Sequence, residues 1–473
     1  MHNNRFGDYS PPPAVEDGTM DITLGMFFDG TLNNKTNTIE RRNQTAVHKK
    51  HGGDPSDNNS YNNDWSNVAR LWDNYDKNYA IYIEGIGTTD SDSDSMAGYA
   101  FGAGETGIRS KVEKGCSEIV KKVRDLKNAQ KADKINVLTF DVFGFSRGAA
   151  AARHFVHDTG KSKYKATARN YTREKDFSAT IYYDDWGNIV PFEELPKWGN
   201  LGLKLQQAGI TVEILRIRFL GVYDTVSSYS NNGIPNFSND VQELGLNDIG
   251  RAQTIVHFIA ENEHRENFDL TRVPSGIEKT FPGVHCDVGG AYENGTETWK
   301  EIETAWGWGR IEKLEPLRRR LIAECWFNED QLSYDEGKLY TALQGSRDLL
   351  KTFSYIPLHF MGEYGTDKDI PFNMAKITKE TYSISSDTLL ERVKARLRPY
   401  VMGNGSAYNF KTYEQLQNIY AGSKIPEQRH ADYEREVKEQ EDLRVLRNKY
   451  LHWSARREGI GMDPRNNRVR VIH

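Results

Sequence analysis

An α/β fold on a mainly parallel sheet is what this sequence predicts, and three observations carry that expectation. Runs rich in Ile, Val, Leu and Phe alternate with stretches of helical apolar spacing for the first 300 residues. One such run, "INVLTFDVFGF", passes through a glycine-bracketed serine straight into the alanine-rich "RGAAAARHF". Beyond about residue 300 strand signals fade and helical ones take over. Alternating strands and helices imply crossover connections and hence parallel pairing. The expected layout is a disordered arm over 1–20, a catalytic α/β domain over 21–300 with an insert at about 160–205, and a mainly helical accessory region over 301–473.

The elements follow in chain order. Residues 1–20, with Pro11 to Pro13, read as a disordered arm. "DITLGMFFDGTLNN" reads as a buried strand ending in an Asp-Gly-Thr turn, and Lys35 to Asn63 as a long polar loop. "WSNVARLWDNY" sets Val68, Leu71 and Trp72 at helical spacing, and "YAIYIEGIGT" is a second strand closing on glycines. The aspartates of "TTDSDSDS", residues 88–95, suit a hard cation, but no glycine-and-glutamate frame completes a calcium loop, so a solvated loop is expected. Ile108 to Leu126 is helical, and the strand and helix that flank the glycine-bracketed serine follow. In the insert "YYDDWGN" suggests a hairpin or loop. "VEILRIRFLGVYDTV" is strand-like, broken at Gly221 and ending near Asp224. "GRAQTIVHFIAENEHRENF" holds Ile255, Phe258 and Ile259 in helical register, and "TFPGVHCDVGGAY" is a short strand running into glycines. "SSDTLLERVKARLRPY" carries a stripe of Leu389, Leu390, Val393 and Leu397 between basic residues, which suits a membrane surface but more commonly packs on its own core.

Bulk properties exclude several classes. A net charge of -5 gives no electrostatic footprint for nucleic acid. Cys116, Cys286 and Cys325 are odd in number and match no metal spacing, so reduced structural thiols are expected, with no metal and no cofactor. The first residues lack the basic and apolar regions of a signal peptide, and no apolar run approaches the roughly 18 residues of a membrane span. Action outside the cytoplasm would therefore need another machine for export.

The chemistry centres on Gly144-Phe145-Ser146-Arg147-Gly148. The pattern alone is common, but strand before and helix after make it a nucleophile elbow, the device of the α/β-hydrolase fold. Its tight turn lifts Ser146 Oγ above the sheet, and the Arg147 amide, at a helix N-terminus, faces a developing oxyanion. A serine needs a base, and the base an acid, in the order Ser, Asp or Glu, His. That order discards three of the 12 histidines, His2, His48 and His51. His154 lies about 12 Å along the serine's own helix, too far to take its proton. His257 and His264 read as helical and packed or solvated, while His285 stands on a loop at a strand end, where such sheets carry their sites. Asp224, ending the strongest strand, fits the acid, although such an aspartate is also an ordinary turn former. Asp287, two residues beyond His285, more plausibly orders that loop. The amides of Gly30 and Thr31, in a turn oriented by Asp29, are candidates for the second oxyanion donor.

Four stretches, "FFDGTLNN", "GFSRGAA", "FLGVYDTVSS" and "FPGVHCDVGGAY", together resemble the α/β-hydrolase family that includes the first family of type VI secretion lipase effectors. "GIGT" at 85–88 and "LRNKYLHWSAR" at 446–456 also look familial. The resemblance implies Ser146 as nucleophile, Asp224 as acid and His285 as base of an antibacterial phospholipase A. It also implies membrane phospholipids of the ethanolamine and glycerol types as substrate, a spike or tube protein as carrier and a cognate immunity protein. It further implies synthesis in the cytoplasm and action in a target cell's periplasm. Leu32 stands where the family has a small residue and Tyr223 where it often has Trp, so acyl and headgroup preference are open. The rival readings are an esterase or acyltransferase on non-lipid esters, and a non-catalytic binding module on a hydrolase-like scaffold.

Overall fold

The computed structural model describes residues 18–54, 59–95, 106–172, 178–227, 241–420, 427–457, 462–465 and 467–473. Residues 1–17 of the expected arm lie outside that set, and its last residues are not arm: Thr19 and Met20 open the first strand. The strands are β1 (Thr19–Phe28), β2 (Ala80–Ile83), β3 (Lys134–Phe145), β4 (Tyr164–Lys165), β5 (Thr167–Thr172), β6 (Ser178–Tyr183) and β7 (Ile189–Val190). They continue with β8 (Glu194–Leu195), β9 (Val212–Tyr223), β10 (Ala252–Ala260), β11 (Ile277–Phe281), β12 (Gly295–Trp306), β13 (Leu332–Glu336) and β14 (Tyr340–Leu349).

Six of these form the central sheet, in the order β11-β10-β9-β3-β1-β2, with every pair parallel. Helices Ile108–Ala129 and Arg147–Asp158 pack on it, the first burying Val112, Cys116, Ile119 and Val123. A parallel sheet covered on both faces needs strands that are apolar throughout. In β3 all residues from Leu138 to Phe145 are accordingly buried.

The register puts the candidate residues on one edge. Phe28 of β1 pairs with Gly144 of β3, Phe145 with Tyr223 of β9, and Tyr223 with Phe258 of β10. Asp29, Ser146 and Asp224 therefore leave the sheet side by side at its carboxyl edge. The chain steps from β1 outward to β2, then returns to place β3 on the other flank of β1. That reversal is a topological switch point, where open α/β sheets bind their ligands.

Several sequence expectations are corrected. The loop expected over Lys35–Asn63 contains helices Lys35–Arg42 and Ala46–His51. Each is started by a polar cap: Asn34 accepts from the amides of Thr36 and Asn37, and Thr45 from that of His48. Residues 252–260 are strand, not helix, because β10 lies between β9 and β11 and both its faces are covered. β9 runs through Gly221 unbroken. After residue 300 helices predominate among the described residues, among them Arg310–Ala323, Tyr355–Thr366, Thr388–Val401 and Glu427–Lys449, and β12, β14 and β13 add an antiparallel sheet that the sequence did not announce. A register shift between Trp299 and Glu303 puts the buried Trp299, Ile302 and Ala305 three residues apart, which imitates a helix in the sequence. Helix Thr388–Val401 buries Leu389, Leu390, Val393 and Leu397 behind the Asp387 cap, so its stripe packs on the protein's own core. No described helix is long and apolar enough to cross a membrane.

Candidate active site

Ser146 sits between the last residue of β3 and the first of helix Arg147–Asp158, at φ 59 and ψ −129. A serine at such angles costs on the order of 1–3 kcal/mol, so the surroundings must impose it. They do so through both its backbone groups. Its N–H donates to Tyr223 O at 3.1 Å, and its carbonyl accepts from Ala149 at 3.0 Å and Val226 at 3.3 Å. The flanking glycines are sterically required. A Cβ on Gly144 would stand 2.5 Å from Gly148 O, and one on Gly148 only 2.1 Å from Asp29 O.

Across the same edge, His285 Nδ1 lies 2.5 Å from Asp224 Oδ2. His285 opens the short helix His285–Gly289, and its ring is held between Phe145 (centroids 4.5 Å apart) and Phe268 (5.0 Å). Phe145 directly precedes Ser146, so this stacking seats the imidazole beside the elbow. With Nδ1–H donating to Asp224, the lone pair is on Nε2, the nitrogen a base uses. Asp224 is fixed in turn: its N–H donates to Phe258 O at 2.7 Å, and Oδ1 accepts the Ala260 amide at 2.9 Å.

The electrostatics favour a resting neutral imidazole and an ionised acid. Burial pushes the His285 pKa below its ordinary 6.5, against the hydrogen bond and charge of Asp224. For Asp224 burial works upward, but the Arg470 guanidinium and the hydrogen bond with His285 outweigh it and hold the carboxyl well below 3.8. Arg470 makes a fork on that carboxylate, Nη1 to Oδ1 at 2.7 Å and Nη2 to Oδ2 at 2.8 Å.

A buried pair braces the histidine loop. Arg265 grips Glu263 through Nε (3.0 Å) and Nη2 (2.9 Å), while Glu263 Oε2 accepts from the His285 amide at 3.3 Å. Asp287 serves the loop and not His285: its Oδ2 accepts the amides of Val284 and His452, and its Oδ1 lies 2.7 Å from His452 Nδ1. His257 is buried in β10 with Nδ1 on Glu278 at 3.0 Å, and His264 Nδ1 lies 3.0 Å from Asn262 O.

The turn after β1 is tied to the elbow. Asp29 accepts from Gly30 N–H at 2.7 Å and from the hydroxyls of Ser66 and Tyr82. The Gly30 amide is thus committed to Asp29, which orients the turn. Thr31 Oγ1 accepts from Arg147 Nε at 2.7 Å, so the Arg147 side chain holds the turn against the elbow helix.

Sequence reasoning missed Arg470, Glu263, Arg265 and Phe268. Arg470 is 246 positions from its partner, and nothing in "RNNRVRVIH" distinguishes it from the arginines beside it. The alternating charges of "ENEHRENF" were the one available signal for Glu263 and Arg265.

A family model described as "T6SS, Phospholipase effector Tle1-like, catalytic domain" matches residues 23–308, which hold every sequence-predicted site residue. Among solved structures, that of the Tle1 effector bound to the VgrG spike from the Type 6 secretion system aligns with a TM-score of 0.57 at 17% identity. The alignment covers 98% of this chain and 94% of that one, a likeness of fold. An uncharacterized protein from Pseudomonas aeruginosa aligns with a TM-score of 0.39 at 16% identity, over 92% of this chain and 65% of that one. No curated protein sequence matches the chain.

Proposed function

Since this chain belongs to the Tle1-like phospholipase effectors of the type VI secretion system, we propose that it is a serine-dependent phospholipase A with Ser146, His285 and Asp224 as its triad. The observation that carries this reading is the 2.5 Å His285–Asp224 contact on the sheet edge that also presents the strained Ser146. The catalytic unit is residues 21–300, and the mainly helical region beyond supplies the bracing segments that reach back to it.

In this reading Ser146 Oγ attacks the carbonyl of an acyl ester while His285 Nε2 takes its proton. Asp224 holds the imidazole in the required tautomer and stabilises the imidazolium. Amides of Arg147 and Thr31 receive the oxyanion, the Gly30 amide being occupied by Asp29. Collapse breaks the ester bond, and the imidazolium protonates the departing lysophospholipid. Water, deprotonated by His285, then attacks the acyl-serine, releases a fatty acid and restores Ser146. The chain's own groups supply each proton transfer.

The substrate is membrane phospholipid of the ethanolamine and glycerol types. The similar Tle1 effector is bound to a VgrG spike, which supports export on a spike or tube protein, action in the target's periplasm, and an immunity protein guarding the producer. Mass spectrometry of a phospholipid mixture incubated with pure protein tests the activity. Paired lysophospholipid and fatty acid are expected, and none with Ser146→Ala. Turnover of soluble esters alone would make it an esterase, and no turnover at all would favour the binding module.

A further inference from the structure

Residues 462–465 and 467–473 lie along the loop that follows β10 as a strap. Glu266 N–H donates to Asp463 O, Arg465 N–H to His264 O and Leu270 N–H to Val471 O. The return bond runs from His473 N–H to Leu270 O. Side chains pin it further: Arg465 on Asp269 and Arg468 on Glu303. Arg470 is delivered by this strap into the site, where Nε donates to Phe268 O at 2.7 Å and fixes the fork that both oxygens of Asp224 accept.

We propose that Arg470 is a positioning residue for hydrolysis, holding the Asp224 carboxylate against His285 and setting how strongly that carboxylate supports the imidazolium. The inference rests on the triad reading above. Asp224 carries contacts from Ala260, His285 and Arg470, so its orientation is defined by three directions and not by the histidine alone. Charge gives Arg470 its second effect. An isolated carboxylate this near an imidazole would strongly favour the protonated ring, whereas a carboxylate neutralised by a guanidinium does so weakly. The other groups facing His285 are accounted for. Glu263 is neutralised by Arg265, Asp287 is bonded to His452, and burial pushes the Cys286 thiol up to about 12, leaving it uncharged. Arg265 also acts on His285 but is paired with Glu263, whereas Arg470 is bonded to both oxygens of Asp224 itself.

The test compares pH profiles of kcat/KM for Arg470→Gln and Arg470→Lys on a phospholipid, with melting curves recorded in parallel. Arg470→Gln removes the charge, so the acid limb should move up by about one unit, the effect of one uncompensated neighbour. Its plateau kcat should fall about tenfold, the scale on which partners that orient a functional imidazole act. Arg470→Lys keeps the charge but loses the fork, so its plateau should fall with the limb in place. Plateau losses with an unmoved limb in both variants would reduce Arg470 to a structural brace, and wild-type behaviour in both would remove the strap from the site. If Arg470→Gln fails to fold, a wild-type profile in Arg470→Lys overturns the proposal by itself. Turnover surviving in Ser146→Ala would instead overturn the triad reading on which the proposal stands.

Discussion

Ser146 holds a backbone conformation that L residues rarely adopt, and both its N–H and its carbonyl are used to hold it. Ser146→Ala should leave the melting temperature unchanged or slightly higher, because Ala suffers the same angles with no polar group to bury. It should abolish turnover and labelling by an active-serine phosphonate, and persistent labelling would move the nucleophile elsewhere. Asp224→Asn has two expected effects of different origin. The tautomer of His285 is no longer enforced, which lowers kcat by up to ~10⁴-fold. Arg470 is also left buried beside a neutral amide, which destabilises by about 3–5 kcal/mol. Asp287→Asn should loosen the His452 contact and cost less kcat than Asp224→Asn. The reverse order would exchange the two acids. In the proposed triad His285 would set the pH profile. Its folded pKa lies below 6.5, so the base form persists as pH falls through 6.5 and is lost only lower down. The acid limb of kcat/KM should therefore fall below pH 6.5, and a limb above 7 would contradict the buried, neutral imidazole. The depressed Asp224 works in the same direction on stability. Its contribution is full above the ordinary 3.8 and is lost as pH drops through its folded value.

At the scale of elements, the elbow shows why local sequence was informative: strand, tight turn and helix each announce themselves within "INVLTFDVFGFSRGAAAARHF". The glycines in it are contacts between elements as much as turn formers. Gly148→Ala would push its methyl into the Asp29 carbonyl 2.1 Å away, separating the β1 turn from the elbow helix. A loss of roughly 1–3 kcal/mol in denaturant unfolding is expected, with reduced kcat. An unchanged protein would mean that the turn moves freely and is no oxyanion scaffold. Elements read wrongly have separate physical causes. β10 is apolar on both faces, so its spacing does not distinguish a strand from a helix, and a bulge in β12 sets its core residues three apart. The helices within 35–51 were hidden because their stability comes from caps and tertiary contacts with little apolar periodicity.

On the scale of the whole molecule, one core runs from the central sheet into the β12-β14-β13 sheet and the helices beyond it. Segments far apart in the chain thus meet at the site. The effector reading makes a prediction here too. Expressed in a bacterium's cytoplasm the protein should be nearly harmless, whereas directed to the periplasm it should arrest or lyse the cell, and only with Ser146 present. Equal toxicity from both compartments would favour a general hydrolase. The sequence by itself determined the α/β class, the elbow, and the order of serine, aspartate and histidine, because each is written in neighbouring residues or in chain order. Tertiary structure alone decided that Asp224 bears on His285 while Asp287 bears on His452, that Gly30 gives its amide to Asp29, and that Arg470 clasps the acid from 246 positions away. Those choices depend on strand register and on which buried charges end up adjacent, and a pairing made across the fold leaves no pattern in the residues on either side of it.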